Sequence, residues 1–250
     1  MVRPRAMTVH SLAEAREISD SDELPFVGQF EDQVRANLMR HAAIVIFQKN
    51  DRILEAGEKS DELPIILSGI VELRGALSNP YCGLLLLTRG DMVFPMAVLH
   101  DEPCLTSATA LSRCRVLMLP RSAVIEQADR HPKVGMALAR VMGAQWRMAV
   151  RHIIDLQCRS APARLTSFLL KLVDFSDADI VEVPFPKGTL AMRLGISPET
   201  LSRAIQVVAD NGVVLRGSQI MVRDRVRAEE FCGPEPYADR GEGAFNVHAF

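Results

Sequence analysis

The stretch Thr189 to Val208, TLAMRLGISPETLSRAIQVV, admits few folds, because its apolar spacing is helical on both sides of a single glycine. Leu190, Ala191 and Leu194 recur at helical intervals and stop at Gly195, a residue type that enters the left-handed region without steric cost. Ser197 suits the cap of a second helix and Pro198 its first turn, where a missing N–H costs nothing. Leu201, Ala204, Ile205 and Val208 then form one apolar face. The pattern predicts two short helices joined by a tight turn, with Glu199, Thr200, Ser202 and Arg203 on the outer face near the start of the second. An Arg fork pairs with guanine O6 and N7, and a Glu carboxylate accepts from cytosine N4. The same two residues, four apart, also make an ordinary ion pair along a helix. Downstream, Val213–Leu215, Arg216-Gly217-Ser218 and Gln219–Val222 predict strand, turn, strand. Together these make a winged helix-turn-helix, which offers the start of its second helix to the major groove.

With these residues in place, the segment from Phe185 to Asp224 resembles the DNA-binding domain of the Crp/Fnr superfamily of bacterial transcription regulators. Glu199-Thr200-Leu201-Ser202-Arg203 is similar to the E-x-x-S-R signature of its Fnr and FixK branch. In the cyclic-AMP receptor branch Gly usually takes the Ser position and an Arg precedes the Glu; here those positions hold Ser202 and Pro198. PETLSRAI followed by NGV, GSQI and a closing Asp is similar to FtrB-type regulators. The resemblance runs from Leu24 to about Phe231. It implies an α+β chain: an N-terminal double-stranded β-helix, the jelly-roll of cyclic-nucleotide-binding domains, then a long dimerisation helix and a C-terminal winged helix-turn-helix. It also implies that Glu199, Ser202 and Arg203 read a TTGAT-like half-site and its inverted repeat, with RNA polymerase as a partner. Lys187, Thr189, Ser197, Thr200, Arg216 and Ser218 are then placed to touch the DNA backbone.

Charge is distributed in keeping with that expectation. The 250 residues carry a net charge of −2, so the chain as a whole is not basic. Between Lys187 and Arg227, however, seven cationic residues stand against three acidic ones. No apolar run reaches the roughly 18 residues of a membrane span and the first thirty lack a signal-peptide core, so the expected location is the cytoplasm. Cys82, Cys104, Cys114, Cys158 and Cys232 are odd in number, widely spaced and without a C-x-x-C pair, which points to neither a disulfide framework nor a metal site.

In chain order, 1–23 reads as a flexible arm with a short helix near Leu12–Ile18, set off by Asp20-Ser21-Asp22. Residues 24–130 read as the β-roll, introduced by a helix within Leu24–Arg40. Its strands are expected at Ile44–Phe47, Ile53-Leu54, Leu63–Leu67, Ile70–Arg74, Gly83–Leu87, Met92–Phe94, Thr106–Leu111 and Arg115–Leu119, punctuated by turns such as Asn79-Pro80. After a helix from Arg121 to Arg130, residues 131–158 form the longest helical pattern. Met142, Trp146, Ala149, Ile153 and Leu156 make a coiled-coil-like seam, and Leu138, Val141, Gln145, Met148 and His152 a second stripe for the helix's own roll. The winged domain follows over 159–232. Within it Ser160 caps a helix that buries Leu165, Phe168, Leu169 and Leu172, Asp174–Asp179 connect, and Val181–Val183 form a strand. The tail 233–250, rich in Gly and Pro, is expected to be flexible.

The roll departs from the nucleotide-binding pattern. After Gly90-Asp91 the chain reads Met92-Val93-Phe94-Pro95-Met96-Ala97, and the Arg expected before Ser107-Ala108 is Thr106. A buried cyclic phosphate without a cation is costly, so cyclic AMP is disfavoured. Met96, His100, Cys104, Thr106, Ser107 and Trp146 are instead the candidate effector pocket. His and Cys are haem-ligand types, so haem stays open beside a small apolar or acidic metabolite, a thiol switch at Cys104, Cys114 or Cys158, and a roll that serves only dimerisation. No paired carboxylates, metal-spaced histidines, nucleophile motif or phosphate loop appears. The reading is a homodimeric DNA-binding regulator with a small-molecule effector, rather than an enzyme or ligand-binding protein on a cupin-like roll.

Overall fold

In a computed structural model, residues 8–10, 26–75, 83–174, 180–183 and 186–233 are described. The expectations for Leu12–Ile18, Asp20–Asp22, Leu24, Asn79-Pro80, Cys82, the connection after Asp174 and the tail beyond Gly233 lie outside them.

The first compact unit holds the β-roll and the long helix as far as Trp146. Its strands are β1 (Thr8–His10), β2 (Ala43–Phe47), β3 (Arg52–Leu54), β4 (Glu62–Ser68), β5 (Val71–Gly75), β6 (Gly83–Leu87), β7 (Thr106–Ala110) and β8 (Cys114–Pro120). They form two four-stranded sheets, ordered β1-β2-β8-β4 and β3-β7-β5-β6. Between β4 and β5 the chain turns at Gly69, at φ +93, where a Cβ would lie 2.5 Å from the Arg113 carbonyl and 2.6 Å from Cys114 Sγ. Only glycine lets the two chain segments approach so closely.

The first sheet carries the main core. Ile44, Leu63, Ile65, Leu67, Leu117 and Leu119 pack with Val34 and Leu38 of α1 (Asp32–Met39), Val124 of α3 (Arg121–Arg130), and Val134, Ala137 and Leu138 at the start of α4 (Pro132–Cys158). Phe26 and Phe30, edge to face with centroids 5.3 Å apart, close the same core ahead of α1, so the helix expected within Leu24–Arg40 starts only at Asp32.

Two expectations for this unit are corrected. Thr8–His10, placed in the loose arm, pair antiparallel with β2, whose outer edge would otherwise present a row of unpaired backbone groups. Met92–Phe94 do not form a strand: Met92 makes one bridge to Ile65, and Phe94 turns into the left-handed region at φ +49. Pro95 then opens a short helix, α2 (Pro95–Leu99), because its locked φ and missing N–H suit a first helical turn and not a ladder.

The second unit runs from Arg147 and includes the rest of α4. It continues with α5 (Ala161–Asp174), β9 (Val181–Glu182), α6 (Lys187–Arg193), α7 (Pro198–Asp210), β10 (Val213–Arg216), β11 (Gln219–Val222) and α8 (Arg225–Cys232). Leu165, Leu169 and Leu172 of α5 are buried as expected, joined by Leu170, while Phe168 is half-buried. The strands order β10-β11-β9 as a small antiparallel sheet. Sequence reading missed α8, whose signals are Asp224, accepting from the Arg227 N–H at 3.0 Å as a cap, and buried Ala228 and Cys232 one turn apart.

His152 of α4 is half-buried near two guanidiniums. Desolvation first, then the charges of Arg193 and Arg164, push its imidazole down to about 4. The unfolded chain therefore binds a proton that the folded chain refuses between that value and the usual 6.5, so stability is lost as pH falls through this window. Urea unfolding should show wild type weakening relative to His152→Gln from about pH 6.5 to 4, by up to about 3 kcal/mol. Above pH 6.5 the two curves should run parallel; parallel curves throughout would mean that the imidazole is not desolvated.

Candidate nucleic-acid interface

The turn between α6 and α7 is built from three backbone bonds. The N–H of Leu194 donates to Leu190 O, that of Gly195 to Met192 O and that of Ile196 to Ala191 O, each at 3.0 Å, with Gly195 at φ +63. This is a Schellman closure, and Ile196 buries its side chain behind it. Ser197 caps α7 at once, its Oγ accepting from the Thr200 N–H at 3.2 Å. A connection this short leaves α7 little freedom to swing against α6. From α5, Arg164 donates Nε to Leu194 O at 3.1 Å, which ties down the end of α6; sequence reading did not single this residue out.

Leu201, Ala204 and Val208 of α7 are buried and Ile205 is half-buried, so the expected apolar face is inside. Glu199, Ser202 and Arg203 are exposed together on the opposite face. Hydrogen bonding from Ser197 and from the backbone at the helix start, with Arg203 nearby, holds the Glu199 carboxyl below its ordinary range, so it is ionised and can only accept. The Ser202 hydroxyl donates to Pro198 O at 3.0 Å, which leaves its lone pairs facing outward. Arg203 Nη2 reaches Thr200 Oγ1 at 3.4 Å, a weak tether that steadies the guanidinium without consuming its fork. Gln206 and Val207, one turn further on, are also exposed on this helix.

Around this face Lys187, Arg216 and Ser218 are exposed, and Ser197 and Thr200 are half-buried. Arg216 and Gln219 pair at the base of the β10–β11 hairpin, and Gly217 at its tip is left-handed at φ +64. Thr189 differs from expectation: at 9% exposure its side chain lies inside, because the third residue of so short a helix falls on the same side as buried Leu190 and Ala191.

The six candidate effector residues differ widely in exposure. Met96 (51% exposed) and His100 face solvent, because α2 turns Pro95 and Val98 inward. Trp146 is 69% exposed, on the side of α4 away from Gln145, whose Nε2 donates to Met92 O at 2.7 Å. Cys104 and Ser107 are buried, and Thr106 is half-buried. Ser107 Oγ donates to Glu55 Oε1 at 2.7 Å and accepts from the Ala56 N–H at 3.1 Å. Opposite Ser107 in register stands Arg74, which gives Nε and Nη2 to buried Glu72 at 3.1 and 2.7 Å. Burial pushes the Cys104 and Cys114 thiols up, away from thiolate reactivity. Cys158 is exposed.

On α4, Trp146, Ile153 (54%) and Leu156 (39%) are exposed large apolar side chains, and Ala149 between them is half-buried. Met142, assigned to the same seam, packs partly against the roll core instead, along with Val141.

Two family matches fit this geometry: residues 44–131 match the cyclic nucleotide-binding domain, and residues 163–230 match the Crp-like helix-turn-helix domain. The chain is 26% identical over 199 residues to the CRP-like cAMP-activated global transcriptional regulator of Mycobacterium tuberculosis, covering 77% of this chain and 89% of that one. It is 24% identical over 188 residues to the nitrogen fixation regulation protein FixK of Azorhizobium caulinodans, covering 72% and 75%. The structure of FixK2 from Bradyrhizobium japonicum superposes with a TM-score of 0.66 at 22% identity, covering 76% of this chain and 96% of that one.

Replacing Ser197 by Ala should cost the helix-turn-helix about 1 kcal/mol, since it orphans the Thr200 N–H. Urea unfolding followed by circular dichroism would detect this, and an unchanged midpoint would mean the cap carries no weight. A jelly-roll followed by a capped, wing-flanked helix pair, matched along both parts, makes this chain a member of the Crp/Fnr superfamily of transcriptional regulators.

Proposed function

We propose that the protein binds double-stranded DNA as a homodimer, with Glu199, Ser202 and Arg203 of each protomer reading one half of an inverted repeat of TTGAT-like sequence. The observation that carries this is the joint exposure of an ionised acceptor, a hydroxyl and a guanidinium held by only one weak bond on one face of α7, whose opposite face is fixed in the core. Lys187, Arg216 and Ser218, with Ser197 and Thr200, supply backbone contacts and hence the salt dependence. RNA polymerase is the partner that family membership implies, and the working compartment is the cytoplasm. Among the described residues no helix is long and apolar enough to cross a membrane.

The exposed stripe of Trp146, Ile153 and Leu156 supports the dimer: large apolar side chains seven and three residues apart, with Ala149 between the first two, on a 27-residue helix suit a second copy of the same helix. The effector is a small molecule other than a cyclic nucleotide. Ser107, which follows the missing arginine, is already bonded to a carboxylate, and the cation opposite it is held by Glu72. A cyclic phosphate would meet acceptors there instead of donors. The Mycobacterium tuberculosis relative is named as cAMP-activated, so this is a point on which the two proteins differ in the proposal.

Two measurements test the reading. In binding titrations on operator variants, Arg203→Ala should cost about 1–3 kcal/mol on the intact site and relax preference at one guanine per half-site. Equal weakening on every sequence would remove Arg203 from base reading. In analytical ultracentrifugation, Trp146→Glu should shift the protein toward monomer and weaken binding to the full palindrome, and an unchanged dimer would move the seam elsewhere.

A further inference from the structure

In the second unit, the end of α4, the start of α5 and the end of α6 bring three guanidiniums toward one carboxylate. Asp155 faces both Arg164 and Arg193, but its Oδ1 is already held by Arg159 Nη1 at 2.8 Å. Arg159 is itself buried and also donates to Ser167 Oγ at 2.7 Å. Arg164 uses its donors on neutral carbonyls, Nε on Leu194 O at 3.1 Å and Nη1 on Arg159 O at 2.8 Å, which satisfy its hydrogens without offsetting its charge. Arg193 is the residue left over: its Nη1 is shut off from solvent and has no hydrogen-bond partner.

A desolvated, unpartnered guanidinium is among the most costly groups a fold can hold, and arginine cannot escape by shedding its proton near neutral pH. The imidazole of His152 lies beside Arg193 and Arg164 and stays neutral there, and so keeps one N–H to donate. The cluster thus has an excess of positive charge, a buried idle donor and a second donor nearby. A planar fork of this kind is suited to oxygen anions.

We propose that this cluster is a binding site for a small oxyanion, a phosphate- or carboxylate-bearing molecule, gripped by Arg193 Nη1 with His152 as second donor. The bound anion offsets the positive charge that Asp155 cannot. It also links the end of the long helix to the end of the first reading-pair helix, since His152 belongs to α4 and Arg193 to α6. The site is separate from the reading face of α7, and its occupancy can be measured without DNA, so its failure is distinguishable from failure of DNA reading.

The test uses the full-length protein at pH 7, with thermal unfolding in chloride, inorganic phosphate or acetate at one ionic strength. Phosphate should raise Tm saturably, by about 2–8 °C. An equal response to acetate assigns oxyanions in general, and a response to phosphate alone assigns phosphate-bearing ligands. In Arg193→Met the anion response should vanish, while Tm in chloride matches or exceeds that of wild type because the unpaired buried charge is gone. A phosphate response of equal size in Arg193→Met would overturn the proposal. So would a marked fall in its Tm in chloride, which would show the guanidinium already compensated within the chain. A readout on wild type alone stands beside these: by NMR, phosphate should move the His152 titration up from about 4 by at least one unit, and identical titrations in phosphate and chloride would also overturn the site.

Discussion

The turn at Gly195 is the constraint on which the reading surface depends. Two residues, Gly195 and Ile196, separate the last turn of α6 from the cap of α7, and both of their N–H groups are satisfied within the turn. The angle between the helices is therefore set by hydrogen-bond geometry and not by side chains that could repack. A Cβ at Gly195 would meet a left-handed backbone and also Leu156 Cδ2 at 2.9 Å, so the position is closed to other residues on two independent grounds. Once the angle is fixed, burial of Leu201, Ala204 and Val208 sets the rotation of α7 about its own axis. Glu199, Ser202 and Arg203 then have one direction in which to point. Specificity in such a device comes from what holds the helix still as much as from the groups it presents.

The same logic explains what was legible in the sequence. The helix pair, its cap, the hairpin and the long helix are all local: each is written in spacing of three and four residues, in one glycine or in one Ser-Pro pair. Seven of the eight expected roll strands were legible for the same reason, because short apolar runs between turn residues have few alternatives. What could not be read depended on neighbours distant in the chain. Met92–Phe94 have the composition of a strand, yet Pro95 ends it and β4 offers only a single bridge at Ile65. Thr189 is an exposed-type residue that a short helix happens to turn inward. For the pocket drawn from Met96, His100, Cys104 and Trp146, residue types did not disclose facing: Met96 and Trp146 lie on the solvent side of their helices and Cys104 is buried in the loop before β7.

Within the roll, Thr106 stands where the resemblance leads one to expect a phosphate-binding arginine, and the polar groups next to it bond to one another. Ser107 ties β7 to the segment after β3 through Glu55 and the Ala56 N–H. Glu72, almost wholly buried, is tolerable only because Arg74 reaches it from the same strand. The Ser107 bonds cross-link two segments of the roll, and the Glu72–Arg74 pair stays within one strand. A roll cross-linked by its own polar groups no longer needs the ligand to hold those strands together. In the reading proposed above, an effector would then act through some other part of its surface.

That part is narrowed by how the roll holds α4. Gln145 donates to Met92 O, Val93 N–H donates to Pro64 O, and Phe94 is held at φ +49, where a bulky side chain is seldom found. Asp91, next to this segment, is pushed by burial up to about 6 even though Thr88 donates to it. Residues 91–94 therefore combine a left-handed bulky residue, a carboxyl that titrates unusually high and a direct bond to the helix that crosses into the second unit. A ligand can shift an equilibrium only by its difference in affinity for the two states. A segment already carrying conformational cost has a second arrangement closer in energy than a relaxed one would, so a modest difference in affinity suffices to select it. Any movement of Met92 either carries α4 with it or breaks the Gln145 bond, so in the reading proposed above this bond is where such a selection would reach the helix.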